Sequence, residues 1–328
     1  RHGRLTHMRK VLHPDGYHGA GKRSRYFEGW YVKLVDAQQQ ARLALIPGVF
    51  LAPAENGPHE AFVQVLDGAT GRTWYHPLPL DNFTASSDTF AAQVGGSRFS
   101  TSGVRLSLPN LTGEVQFGPL DPWPVSVRSP GAMGWYAWMP FMECYHGVVS
   151  FGHSLQGSLT FEGQTLNFDG GRGYIEKDWG QAFPSGYVWI HSNHFSDPAL
   201  SLMASVATIP WLRGSFQGLL IGLRTGTGLL KFATYTGAKV RQLRVDDEHV
   251  WLTVEGKPGV LEIRATRPGG AFLHAPIRTE MHKRVEETLD AEITLRLTDR
   301  SGRVLIEDTG RTGALEVHGD IERLIQLG

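Results

Sequence analysis

The chain has a single cysteine in 328 residues, Cys144, so it cannot form an internal disulfide and cannot supply the thiolates of a structural zinc site. It has no run of 18 apolar residues, and Arg1 to Lys10 lead into polar Gly/His sequence instead of an apolar signal core. Neither a spanning helix nor a signal peptide is therefore expected, and a cytoplasmic place within reach of a membrane surface fits. Net charge is also missing: 32 Lys+Arg balance 32 Asp+Glu, which leaves no field to gather nucleic acid and excludes it as an expected partner. There is no glycine-lysine phosphate loop and no glycine-flanked serine elbow with a triad. Gly170-Gly171-Arg172-Gly173 does not open a helix as a dinucleotide fingerprint would, so no cofactor is expected.

What the chain does have is glycine, 40 of 328 residues against an ordinary share of about 7%. The glycines lie between short apolar runs with period-2 alternation, the pattern of strands joined by tight turns. Candidate strands recur from residues 27–35 to residues 314–317, which predicts an all-β chain built from barrels or sandwiches, with little helix. The spacing predicts one short helix from Asp320 to Leu327, capped by the aspartate, and a loop over residues 275–291. The aromatic segment 119–144 reads as a long connection between two strand-rich halves. Glu28-Gly-Trp30 in one half and Glu176-Lys-Asp-Trp179 in the other suggest a weak duplication, hence two similar antiparallel barrels side by side. The expected domains are 1–168, which includes the aromatic segment, and 169–328.

Alternate side chains of a strand point to opposite faces. Over residues 187–195 this puts Tyr187, Trp189, His191, Asn193 and Phe195 on one face, aromatic area with polar tips, the chemistry of a lined pocket. Glu28 and Trp30 share one side of the first strand, and Tyr31 and Lys33 the other. A carboxylate desolvated among aromatics holds a proton it can donate, unless a cation pairs with it and keeps it ionised. Lys177 and Asp178 could instead form a structural ion pair. Of the 14 histidines, His191 and His194 are three positions apart on a candidate strand and point to opposite faces, so they do not chelate one metal, and no metal is expected. His13 and His18 fall in a Pro/Gly-rich leader and are expected at the surface.

With these residues in view, the stretch Phe27-Glu-Gly-Trp-Tyr-Val-Lys33, preceded by His13-Pro-Asp-Gly-Tyr-His18, resembles the tocopherol cyclase family. Gly173-Tyr-Ile-Glu-Lys-Asp-Trp-Gly-Gln-Ala-Phe-Pro184, continuing through Trp189-Ile-His-Ser-Asn193, is the stronger match. The likeness is weakest over residues 57–135. His191 stands where the family commonly has Gln, which leaves the substrate's head group open.

The resemblance implies two lipocalin-like barrels and a cofactor-independent cyclisation of a prenylated quinol to a chromanol. That chemistry needs a proton donor, aromatic faces beside a carbocation and exclusion of water. The expected donor is Glu176 or Glu28, with His191 handling a proton or orienting the quinol. Trp30, Trp179 and Trp189 would line the site, Asn193 would bond a quinol oxygen, and Tyr31, Lys33, Asp178 and Tyr187 complete the expected binding set. A lipocalin-like carrier of an apolar ligand, or a related isoprenoid hydratase or pericyclase, would use the same pocket. The expected partner is thus a hydrophobic small molecule, with peripheral membrane contact. Trp123, Trp135, Trp138, Met139, Phe141 and Met142 would form either an apolar entrance at that membrane or a buried plug. The oligomeric state is left open.

Overall fold

A computed structural model of the chain describes residue 8, residues 10–277 and residues 280–328. Wherever one face meets a core, alternation becomes strand: in Gly103–Leu108 the side chains of Val104, Leu106 and Leu108 are buried while Arg105 and Ser107 face out. The strands fall into two units. The first, running to Phe183 and including His274–Lys283, carries β1 (Tyr26–Val35), β2 (Arg42–Leu51), β3 (Glu60–Asp67), β4 (Arg72–Leu78), β5 (Phe83–Ala85) and β6 (Ala91–Val94). It continues with β7 (Ser97–Ser100), β8 (Gly103–Leu108), β9 (Leu111–Phe117), β10 (Cys144–Phe161), β11 (Gln164–Asn167) and β12 (Arg172–Gly180). Their order in the sheet is β4-β3-β2-β1-β12-β10-β9-β8-β7-β6-β5, with β11 on β10. Trp30, Leu45, Val63, Phe99, Leu106 and Leu159, drawn from across this sheet, meet in one core, so the sheet curls around it in the lipocalin manner.

The second unit, Pro184–Leu273 with Arg284–Gly328, holds a second antiparallel sheet. Its elements are β13 (Gly186–Ser192), β14 (Ser201–Trp211), β15 (Gly214–Thr225), β16 (Gly228–Ala233), β17 (Lys239–Val245), β18 (His249–Gly256) and β19 (Gly259–Thr266). β20 (Ala271–Ile277) and β21 (Glu280–Thr298), whose stretch His274–Lys283 belongs to the first unit, and β22 (Val304–Gly319) complete the sheet, in the order β16-β15-β14-β13-β22-β21-β19-β18-β17 with β20 on β21. Val188, Ile190, Ile221, Leu252, Ile263 and Leu295 fill its core. The chain is all-β, two lipocalin-like antiparallel sheets with little helix, as the turn-rich alternation predicts. The helix comes at Ile321–Gln326, and the Asp320 side chain accepts a hydrogen bond from the Arg323 amide at 2.9 Å.

Several expectations are corrected. The chain divides after Phe183 and not at 168/169, because β12 is held between β1 and β10 inside the first sheet. Segment 119–144 does not join the halves: it leads from β9 to β10, which pair with each other (Leu155 opposite Phe117). The loop read over 275–291 is strand on either side of residues 278 and 279, which lie outside the described residues. Its helix-forming composition yields to pairing, such as that of Glu287 with Glu316. Strand β13 ends at Ser192, so Asn193 and Phe195 leave the alternation assumed for them. Of the stretch Arg1 to Lys10, residues 1–7 and 9 lie outside the described residues. No helix among the described residues is long and apolar enough to cross a membrane.

Candidate active site

The two blocks that suggest a duplication are neighbours in one sheet. β1 and β12 pair antiparallel, with Glu28 opposite Trp179, Trp30 opposite Lys177 and Tyr31 opposite Glu176. β10 lies on the other side of β12, with His146 opposite Asp178. Residues directly opposite share a face, so Glu28, Trp30, Lys177 and Trp179 stand on the core side. Tyr31, Lys33, Tyr174, Glu176, Asp178 and His146 stand on the reverse. The two carboxylates expected as alternative donors are therefore separated by the sheet.

On the core side Glu28 is fully buried and accepts from four donors. Lys177 Nζ lies 2.5 Å from Oε1, the Tyr26 hydroxyl donates at 2.6 Å, and the amides of His18 and Gly19 donate at 2.9 and 3.0 Å. Burial alone would raise this carboxyl, but the contributions led by the Lys177 charge outweigh it and hold it at about 2. Glu28 is thus an ionised carboxylate and not a stored acid. Lys177 Nζ also lies against the carbonyls of Pro14 and Gly16 and 2.8 Å from His18 Nδ1, so that with Glu28 its three protons are shared among four acceptors, and it lies 5.1 and 4.6 Å from the ring centroids of Trp30 and Trp179.

Because Nδ1 accepts from the ammonium, His18 carries its proton on Nε2, which meets the Lys10 carbonyl at 2.9 Å. Burial and the Lys177 charge lower its pKa, keeping the imidazole neutral. His18 is buried and stacks on Trp179 at 4.4 Å, contrary to the surface position expected for it. The Trp30 indole donates to the Asp15 carbonyl at 2.9 Å. The leader thus occupies the aromatic pair Trp30 and Trp179, and the Lys177–Asp178 pair considered as an alternative is replaced by Lys177–Glu28.

The reverse face carries a different arrangement. His146 Nδ1 is 2.6 Å from Asp178 Oδ1, its Nε2 is 2.5 Å from Glu176 Oε1 in an ion contact without hydrogen-bond alignment, and the Tyr174 hydroxyl donates to Glu176 Oε2. Burial lowers the His146 pKa, but the flanking carboxylates outweigh it and raise it well above the ordinary value. Burial raises Glu176, and the opposing His146 charge does not cancel it. The imidazole therefore holds a proton between two carboxylates, and burial favours the protonated form of Glu176. Asp178 is the open end, with 29% of its side chain exposed. Among the described residues these three are the group of His and carboxylate side chains close enough to share a metal ion. Each ring nitrogen already has its own carboxylate, the arrangement of a proton bridge.

Aromatics lie beside this bridge on the same face. Phe27, opposite Gly180, packs edge-on against Phe183 at 5.2 Å; Phe62 stacks with Tyr75 at 5.6 Å, and Phe50 joins the cluster. Gly29 faces both Asp178 and Gly48, so the sheet carries no side chain there, and a Cβ on Gly48 would come within 2.7 Å of the Phe62 ring. Gly180 has φ +149, and a Cβ there would sit 2.3 Å from the Glu143 carbonyl, so the Asp-Trp-Gly motif needs its glycine to bring β10 against β12.

In the second unit Tyr187, Trp189 and His191 share one face of β13. Tyr187 donates to Glu316 Oε2 at 2.6 Å, Trp189 and His191 stack with centroids 6.4 Å apart, and His191 and Asn193 are buried. The first unit thus brings Tyr31, Lys33, Glu176 and Asp178 to one face with His146 and Tyr174, and Glu28, Trp30 and Trp179 to the other. His146 and Tyr174 were not singled out from the sequence. Tyr174 has a signal, the i, i+2, i+4 spacing of Tyr174, Glu176 and Asp178, which a strand places in one row. His146 has none, because its pairing with β12 bridges 32 positions of chain.

Comparison with known proteins gives consistent matches. A family model described as tocopherol cyclase-like matches residues 109–319. A protein of Oryza sativa subsp. japonica named a probable chloroplastic tocopherol cyclase is 25% identical over 218 residues, and the chloroplastic tocopherol cyclase of Zea mays 26% over 221. Each alignment covers 63% of this chain and 46% of the relative, so the chain spans about half the length of the curated relatives it matches. The crystal structure of CghA with Sch210972 superposes with a TM-score of 0.58 at 11% identity, covering 90% of this chain and 89% of the other, which establishes likeness of fold.

Proposed function

We propose, from the premise that this chain belongs to the tocopherol cyclase-like family, that it is an enzyme closing an oxygen heterocycle by acid catalysis without a cofactor. The substrate class is a prenylated quinol or a related isoprenoid phenol. Glu176 gives its proton to the prenyl double bond, the tertiary carbocation is captured by the phenolic oxygen, and that oxygen loses its proton to Asp178. The His146 imidazolium passes its Nε2 proton to Glu176 and keeps the one on Nδ1; Asp178, at the exposed end, releases the phenolic proton to water and one proton returns from water to Nε2, so the inventory is restored and the reaction is a net isomerisation.

The observation that carries this reading is the continuous contact from Tyr174 through Glu176 and His146 to Asp178, buried at one end and partly exposed at the other. Such a chain stores a proton beside an apolar surface and can refill it. The bank of Phe27, Phe62 and Tyr75 presents π faces to stabilise cationic charge on the same side of the sheet. Tyr31 and Lys33, on that side too, are the residues assigned to hold the phenol ring and its oxygen.

Incubation with a prenylated quinol in deuterium oxide tests the reaction class. Cyclisation yields a product isomeric with the substrate that carries one deuterium on carbon that does not wash out. A product heavier by one water identifies a hydratase, and recovery of bound, unchanged quinol identifies a carrier; either result overturns the cyclase assignment.

A further inference from the structure

We infer that the segment from Pro122 to Met142 is a lipid-docking element that seats the first unit on an anionic bilayer surface. Its ends are anchored: Trp123 and Met142 are buried, the Trp123 amide bonds the Val148 carbonyl at 3.1 Å, and the Tyr145 hydroxyl donates to the Met139 carbonyl. Between the anchors, Pro130, Gly131, Ala132 and Gly134 are buried, while residues 124–128, Trp135 and Phe141 are exposed. Ser126 and Ser129 exchange backbone hydrogen bonds at 3.2 Å, Val125 bridges to Pro130, and the Trp138 indole donates to the Val127 carbonyl at 3.1 Å, fixing the hairpin to the turn Gly134–Trp138.

The segment exposes apolar side chains. Val127 at the hairpin tip is 65% exposed, Phe141 58%, Trp135 43% and Val125 42%, and Trp135 stacks on Tyr136 at 4.0 Å. These are four of the ten large apolar residues exposed among the described residues, gathered in one short segment. Scattered single apolar residues need no explanation, whereas a cluster held out by its own hydrogen bonds does.

Charge selects the occupant. From Pro122 to Met142 there is no carboxylate, and the sole charged residue is Arg128, exposed beside Val127 at the tip. Tryptophan and tyrosine with one cation and no acid suit the headgroup layer, where aromatic rings settle and phosphate attracts guanidinium. Aromatics with an arginine would also suit the core of a protein interface, and a second copy is therefore one of the outcomes of the test. The inference stands on this surface alone and does not depend on the reaction proposed above.

Flotation of the intact chain with phosphatidylcholine vesicles, with and without phosphatidylglycerol, tests it. The wild type is expected to float with the anionic vesicles. Val127→Asp is expected to lower partitioning about tenfold or more, and Arg128→Glu about fivefold on anionic vesicles only. Both positions are exposed, and an unchanged thermal unfolding profile shows that the variants are folded. Wild-type protein left unbound by both vesicle types overturns the inference, as do variants that float like wild type. A wild-type dimer made monomeric by Val127→Asp would assign the segment to a second copy and also overturn it.

Discussion

Glu176→Gln is expected to lower kcat by about a thousandfold, within the range of about 10²–10⁴ that a positioned general acid contributes. The amide matches the carboxyl in shape and can still accept from Tyr174, but it has no proton to give to an alkene. KM should change little, because the substitution removes an interaction made during proton transfer and leaves the apolar surface intact. The alkaline limb of the rate profile should also move. In the wild type two carboxylates hold the His146 pKa well above its ordinary value; with one of them neutral, the imidazolium loses its proton at lower pH, and the limb shifts the same way. Glu28→Gln, on the core side, should leave this limb in place. Turnover within threefold of wild type for Glu176→Gln would remove the glutamate from the donor role.

Lys177→Met is expected to cost about 3–5 kcal/mol of stability in the first unit, the usual consequence of leaving one partner of a buried ion pair behind. Glu28 would remain wholly buried with its two amide donors and Tyr26 but without its cation. The Glu28→Gln/Lys177→Met double variant should recover part of the loss, since no unpaired charge is then left in the core. The pH dependence of wild-type stability carries the same signature. A carboxyl held at about 2 when folded, against an ordinary value of 4.5, contributes stability that is present above 4.5 and lost as pH falls toward 2. Lys177→Met should flatten that rise. Denaturant unfolding of wild type and the two variants between pH 2 and 6 measures both effects, and a single variant within about 1 kcal/mol of wild type would show that the pair holds nothing.

How far the sequence discloses this arrangement depends on what covers each strand. β8, β18 and β19 have one face in a core and one in water, so Val104, Leu106 and Leu108, or Val250, Leu252 and Val254, announce themselves by alternation. β12 announces nothing of the kind. Its segment Ile175-Glu-Lys-Asp-Trp179 is covered on both faces, and its charges are neutralised by residues that cannot be read from local spacing, Lys177 by Glu28 and Asp178 by His146. The same holds for His18, whose place in a Pro/Gly-rich leader reads as surface until the leader folds against Glu28 and Trp179. Strand β21 is hidden for a different reason: Glu, Lys and Arg favour helix locally, and the cross-strand partners that overrule them lie in β22. That Glu176 is a carboxylate buried among aromatics is legible in its motif. That Glu28 is ionised is not, because the nature of its cation depends on which face of β12 it meets.

The two-sided wiring of β12 also bears on how the sheet assembles. A strand that is apolar on both faces can slip along its neighbours at small expense, whereas a one-residue slip here would turn Glu176 and Asp178 toward Glu28 and send Lys177 toward His146. Three carboxylates would then crowd one side and two cations the other, each desolvated against its own kind. The alternation of acid, base and acid along three successive residues thus works as a parity check on pairing, one that β1 and β10 read from opposite sides of the strand at once.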